Sequence, residues 1–116
     1  MSVPNRVTAN RPPLVMAQFI LGELESFPDG HGTAVDVAGR RLALFRAGTR
    51  MFALDDRCAH RGFPLHDGTT DGHAVCCRTH GACFDLTTGA VLRGPARRGV
   101  RSYAVTVVEG RVVVEI

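Results

Sequence analysis

Four residues in the middle of the chain could together hold a metal. Cys58-Ala59-His60 is followed, sixteen residues later, by Cys77-Arg78-Thr79-His80. Two thiolates and two imidazoles make a tetradentate donor set, and two chemistries use one: a tetrahedral zinc site and a mixed-ligand [2Fe-2S] centre. Zinc fingers commonly pair like with like, two cysteines and then two histidines. Here each segment contributes one Cys and one His. That arrangement suits a dinuclear cluster in which one iron takes both thiolates and the other both imidazoles.

Such a set works only if two loops are held side by side, and the rest of the sequence reads as a scaffold of short strands. Val15 to Leu21 is an apolar run and a first strand. Gly22 to Glu25 suits a helical turn before the Phe27-Pro28-Asp29-Gly30 turn. Thr33 to Val37 alternates, turns at Gly39-Arg40 and returns over Arg41 to Arg46 as a hairpin. Met51 to Leu54 then runs straight into Cys58. After the second pair come a short strand over Ala82 to Leu86, a Thr87-Thr88-Gly89 turn, Ala90 to Leu92 and a Gly94-Pro95 loop. The C-terminal hairpin pairs Ser102 to Val108 with Arg111 to Ile116 around Glu109-Gly110. Short strands with turns every eight to twelve residues predict an all-β antiparallel sandwich or barrel.

Size and composition narrow the function. A chain of 116 residues is one domain with no room for a second catalytic unit. Residues 1–13 are polar and proline-punctuated and read as a flexible arm, leaving 14–116 as the domain. No apolar run reaches the roughly 20 residues of a membrane span, and Met1 to Arg6 resembles no secretory or twin-arginine signal, so the expected placement is cytoplasmic and off the membrane. In a reducing compartment, four cysteines point to metal or redox chemistry rather than a disulfide framework.

Net charge is +3, and every basic residue is Arg. Arg57, Arg61 and Arg78 flank the donor pairs, and Arg93, Arg97 and Arg98 follow, so the donor end suits an acidic protein surface. With no basic helix and no Trp, a nucleic-acid partner is not expected. No nucleophile elbow, phosphate loop or dinucleotide fingerprint is present, so no catalytic residues are assigned.

The spacing Cys-x-His-x16-Cys-x-x-His resembles the Rieske [2Fe-2S] motif, and its surroundings agree: Gly62 and Leu65 after the first pair, Gly81 and Phe84-Asp85-Leu86-Thr87-Thr88-Gly89 after the second, and Gly94-Pro95 where that family has a proline-containing loop. The resemblance covers about Val15 to Ile116. It implies a Rieske-type β-sandwich or barrel with a small cluster-binding subdomain of two loops, about residues 56–96. Cys58 and Cys77 would bind one iron and His60 and His80 the other, with Arg61, Gly62, Gly81, Ala82, Cys83 and Pro95 around them.

Respiratory Rieske proteins carry an extra Cys in each loop, and a Ser and a Tyr whose hydroxyls reach the cluster sulfurs. The matching positions here are Phe63 and Thr79, and Ala82 and Phe84. The resemblance therefore implies no inter-loop disulfide and a potential at the low end of about −150 to +300 mV. It points to the soluble ferredoxin component of an aromatic-ring dioxygenase system, carrying single electrons from a flavin reductase to a terminal non-haem iron oxygenase. The alternatives are the small Rieske-like subunit of a nitrite-reductase-type enzyme and, from another class, a structural zinc module.

The remaining candidates have plainer readings. Cys76 adjoins Cys77, and adjacent side chains in an extended segment face opposite ways, so Cys76 is expected to be a buried structural thiol turned away from the cluster. Cys83 is expected to pack. His31, His66 and His73 read as surface histidines, and Asp67-Gly68 and Asp71-Gly72 as turn chemistry.

Overall fold

The computed structural model describes residues 17–58, 63–78, 81–94 and 98–116. Within them the chain is almost entirely β, with eleven strands in three antiparallel sheets and one short 3-10 turn over Leu24–Ser26. The expected flexible arm, residues 1–13, lies outside the described residues.

The central sheet joins β2 (Gly32–Val37), β3 (Arg40–Ala47), β4 (Arg50–Asp55) and β9 (Ser102–Tyr103), in that order. Antiparallel strands usually bury one face and alternate accordingly. β3 and β4 instead bury continuous runs, Leu42 to Phe45 and Met51 to Leu54. The reason is that this sheet is covered on both sides. Leu42, Leu44, Met51 and Ala53 pack into one core with Val112 and Val114. Ala43, Phe45, Phe52 and Leu54 face the other way and pack with Cys58, Leu65, Val75, Cys77, Ala82, Phe84 and Leu86.

The first core is closed by β1 (Gln18–Glu23), β11 (Arg111–Glu115) and β10 (Val105–Val108), ordered β1-β11-β10. The second is closed by β5 (Thr69–Thr70), β6 (Ala74–Cys76), β7 (Cys83–Asp85) and β8 (Val91–Arg93), in sequence order. The second donor segment lies between β6 and β7 of this third sheet, and the first donor segment leads into the sheet from the end of β4. β5 and β6 occupy a stretch that turn chemistry alone does not mark as strand.

The C-terminal hairpin needs a second correction. The alternation from Ser102 to Val108 reads as one strand, but the chain changes sheets at Ala104. Ser102 and Tyr103 pair with Leu54 and Ala53, whereas Val105 to Val108 pair with β11. The Ala104 carbonyl accepts from the Glu115 N–H at 3.0 Å, which keeps the crossing backbone satisfied. The crossing ties the outer sheet to the central one.

Candidate metal centre

The first donor segment leaves the end of β4. Asp55 N–H donates to the Arg101 carbonyl and Asp56 N–H to the Arg41 carbonyl. Asp56 is then fully buried at its side chain. Its Oδ1 accepts the backbone N–H groups of Leu65 and His66, both at 2.7 Å. Its Oδ2 faces His66 Nδ1 at 2.7 Å and accepts from Arg41 Nε at 3.2 Å. A buried carboxylate needs such partners to be tolerated. Here two of those partners, Leu65 and His66, lie beyond the first donor loop, so the carboxylate pins the loop at its base, while Arg41 reaches it from β3. The Cys58 N–H donating to the Phe63 carbonyl at 2.6 Å closes it again from within.

The second donor segment is the β6–β7 connection. Cys77 N–H donates to the Ala82 carbonyl at 2.7 Å and Gly81 N–H to the Cys77 carbonyl at 3.0 Å. Gly81 adopts φ 78°, a conformation that glycine reaches without the penalty other residues pay. One register step back, Cys76 lies directly opposite Cys83, and their sulfurs form a disulfide. This corrects the expectation of two separate packing thiols. The reading that Cys76 and Cys77 face opposite ways is compatible with it: Cys77 joins the buried core, and Cys76 is turned to its cross-strand neighbour.

Cys58 and Cys77 are both buried, belong to the same core cluster, and take part in no disulfide. Two buried, unbridged thiols on two loops closed at their bases fit the thiolate half of a two-loop cluster site. His60 and His80 lie outside the described residues, as do Arg61, Gly62, Thr79 and Pro95. Ala82 and Phe84 are fully buried beside Cys77 in that core, and Phe63 is exposed.

His31 and His73 are exposed as expected, but His66 is half-buried on Asp56. Asp71 does act as a turn residue. Its Oδ1 accepts the N–H groups of His73 and Ala74, and those two bonds hold its carboxyl below the ordinary 3.8. Asp85 does the same after β7, held low mainly by the Thr88 N–H and also by that of Thr87. Sequence reasoning missed Asp56 altogether. An Asp two residues before the first donor, on the end of a buried strand, was the available signal.

Arg57 and Arg78, next in sequence to Cys58 and Cys77, and Arg93, opposite Cys83 in the sheet, are exposed, as is Arg98, whereas the ion pairs among the described residues use Arg41, Arg46, Arg111 and His66. The donor end thus presents open positive charge.

The family model for the Rieske [2Fe-2S] domain matches residues 17–104, most of the chain and both donor segments. The chain belongs to the Rieske [2Fe-2S] family. Membership brings one Rieske-type [2Fe-2S] cluster and excludes the structural zinc reading.

Among relatives, this Rieske protein is 34% identical to the anthranilate 1,2-dioxygenase ferredoxin subunit of Burkholderia cepacia, over 83% of this chain and 89% of that one. It is 30% identical to the ferredoxin component of the naphthalene 1,2-dioxygenase system of Pseudomonas aeruginosa, over 80% and 89%. Among solved structures, the ferredoxin of carbazole 1,9a-dioxygenase from Nocardioides aromaticivorans IC177 superposes with a TM-score of 0.80 at 28% identity, covering 84% of this chain and 95% of that one. A ferredoxin chain in a complex of reduced oxygenase and oxidized ferredoxin, in carbazole 1,9a-dioxygenase, superposes at 0.78 with 29% identity, covering 84% and 92%. No helix among the described residues is long and apolar enough to cross a membrane.

Proposed function

We propose that this Rieske protein is the ferredoxin component of an aromatic-ring dioxygenase system, a carrier of single electrons rather than the site of oxygenation. The observation that carries the reading is the pair of buried, unbridged cysteines, Cys58 and Cys77, in one core cluster at the ends of two closed loops. In this reading Cys58 and Cys77 bind one iron and His60 and His80 the other, within a domain spanning 14–116 whose cluster-binding part is about 56–96. Arg61, Gly62, Gly81, Ala82, Cys83 and Pro95 surround the site. The cluster, when bound, would take up and release one electron; Cys58 and Cys77 would hold it from the buried core, and His60 and His80 would complete the ligand set.

The acceptor is a terminal non-haem iron oxygenase and the donor a flavin reductase. Support for the acceptor comes from the relatives' names and from the ferredoxin–oxygenase complex that the fold matches. Ala82 and Phe84 offer no hydroxyl to the cluster, which supports a potential in the lower part of the Rieske range.

The decisive experiment is EPR of the dithionite-reduced protein and of Cys58→Ser, His60→Ala, Cys77→Ser and His80→Ala. Each substitution abolishes the mixed-ligand signal if the assignment holds. A full signal in any of the four removes that residue from the ligand set.

A further inference from the structure

We infer that Cys76 and Cys83 form a redox-active disulfide, the substrate of a dithiol reductant, whose state governs how firmly the second donor loop retains the cluster. The inference rests on Cys77 being a ligand.

The bridge lies across β6 and β7 at adjacent register partners, with Cα atoms 4.0 Å apart. Neighbouring Cys77 and Ala82 make a backbone hydrogen bond. The Cys76–Cys83 position between ladder bonds is therefore the close, non-hydrogen-bonded kind. The bridge encloses only the turn from Cys77 to Ala82, and that turn is already closed by the Cys77–Ala82 and Gly81–Cys77 backbone bonds. A cross-link over so short and pre-closed a loop removes little unfolded-state entropy. Its consequence is therefore local: it clamps the base of the loop that carries Cys77.

Access is asymmetric. Cys83 is buried, at 6% exposure, whereas Cys76 is only partly buried. A reductant thiolate therefore attacks Cys76 Sγ. The S–S bond breaks, Cys83 leaves as a thiolate and takes a proton, and a mixed disulfide forms on Cys76. The second thiol of the reductant resolves it, releasing the Cys76 thiol and leaving the reductant as a disulfide. Two electrons and two protons have moved, so a one-electron cluster cannot drive the step and a dithiol can. With the clamp open, the loop is held by backbone bonds alone and cluster release speeds up.

The test uses the cluster-loaded protein, equilibrated in oxidised and reduced dithiothreitol mixtures, then acid-quenched, alkylated and peptide-mapped. Cluster loss to an iron chelator is followed in parallel by visible absorbance. The expected result is that thiols 76 and 83 appear together in one transition while the cluster is still bound, and that chelation then runs at least threefold faster. The Cys76→Ser/Cys83→Ser protein chelates at the fast rate in every mixture. Alkylation of either cysteine in the air-oxidised protein, a chelation rate indifferent to the thiol state, or a dithiothreitol response in the double variant overturns the inference alone. Absence of a Rieske EPR signal at the outset overturns the ligand assignment and the inference with it.

Discussion

Asp56 holds His66 twice, through the backbone N–H on Oδ1 and through ring Nδ1 on Oδ2, each at 2.7 Å. The same Oδ1 takes the Leu65 N–H. One buried carboxylate thereby joins the end of β4 to the segment beyond the first donor loop. Asp56→Ala orphans two backbone N–H groups in a buried site. The expected cost is about 3 kcal/mol of unfolding free energy, read from denaturant midpoints, together with reduced cluster content. Arg41→Ala removes a partner that is 57% exposed at its side chain and should cost less than about 1 kcal/mol. Equal effects from the two variants would contradict the bracing role of Asp56.

The proposed low potential rests on Ala82 and Phe84, neither of which has a hydroxyl to offer a cluster sulfur. Ala82 is fully buried beside Cys77. A hydroxyl there that bonds a sulfur stabilises the more negative, reduced state. Each 1 kcal/mol of preference moves a one-electron midpoint by about 40 mV. Ala82→Ser should therefore raise the midpoint by tens of millivolts above a wild-type value below zero. Spectroelectrochemical titration measures both, and a wild-type midpoint above zero would refute the low-potential reading.

Exposed positive charge beside Cys77 should set association rates with the redox partners. Arg78 is exposed next to Cys77. Arg78→Glu should slow reduction by the proposed flavin reductase by about tenfold at low salt, with the visible spectrum unchanged, because steering across a surface of one sign is lost. The deficit should shrink as ionic strength rises and the screening length falls to about 10 Å or less. Stopped-flow rates at two salt concentrations decide the matter. Arg61, which follows His60 in sequence, is expected to behave alike.

Tyr103 is the chain's one tyrosine, and there is no Trp, so phenolate absorbance reports this residue alone. Partial burial pushes its hydroxyl above the ordinary 10.0, and the 2.6 Å bond to Asp55 Oδ1 adds to the effect. A raised pKa means that the fold favours the neutral phenol. That contribution to stability is complete below pH 10.0 and is lost as pH rises through the folded-state value above it. Ultraviolet difference titration should give a midpoint above 10.0 in the folded protein and near it in denaturant. Asp55→Asn should bring the folded midpoint down, and an unmoved midpoint would show that Asp55 plays no part.

Gly32 lies where the β2–β3 hairpin meets the end of the first donor loop. A Cβ there would collide with the His66 carbonyl and come within 2.7 Å of the Phe45 ring. The carbonyl is backbone already fixed by Asp56, so it cannot retreat cheaply. Gly32→Ala should cost about 1–3 kcal/mol in thermal or denaturant unfolding. A neutral substitution would show that the two parts can separate at this point.

What the sequence determined by itself was the chemistry. Cys58, His60, Cys77 and His80 stand at the spacing that marks the Rieske motif, and a donor set is proposed from residue type and spacing alone. The stretches that form β3 and β4 were likewise legible as strands from their apolar residues and bounding turns, because hydrophobicity is carried residue by residue; that both of their faces are buried was not. The tertiary structure decided the rest, wherever the answer depends on which residues from distant segments meet. It paired Cys76 with Cys83 through a register that no spacing reveals. It split Ser102 to Val108 between two sheets, although alternation is the same on either. It turned Asp56 from an unremarked acid into the brace of the first donor loop, because a carboxylate's role is set by the donors that surround it, and these come from residues 41, 65 and 66.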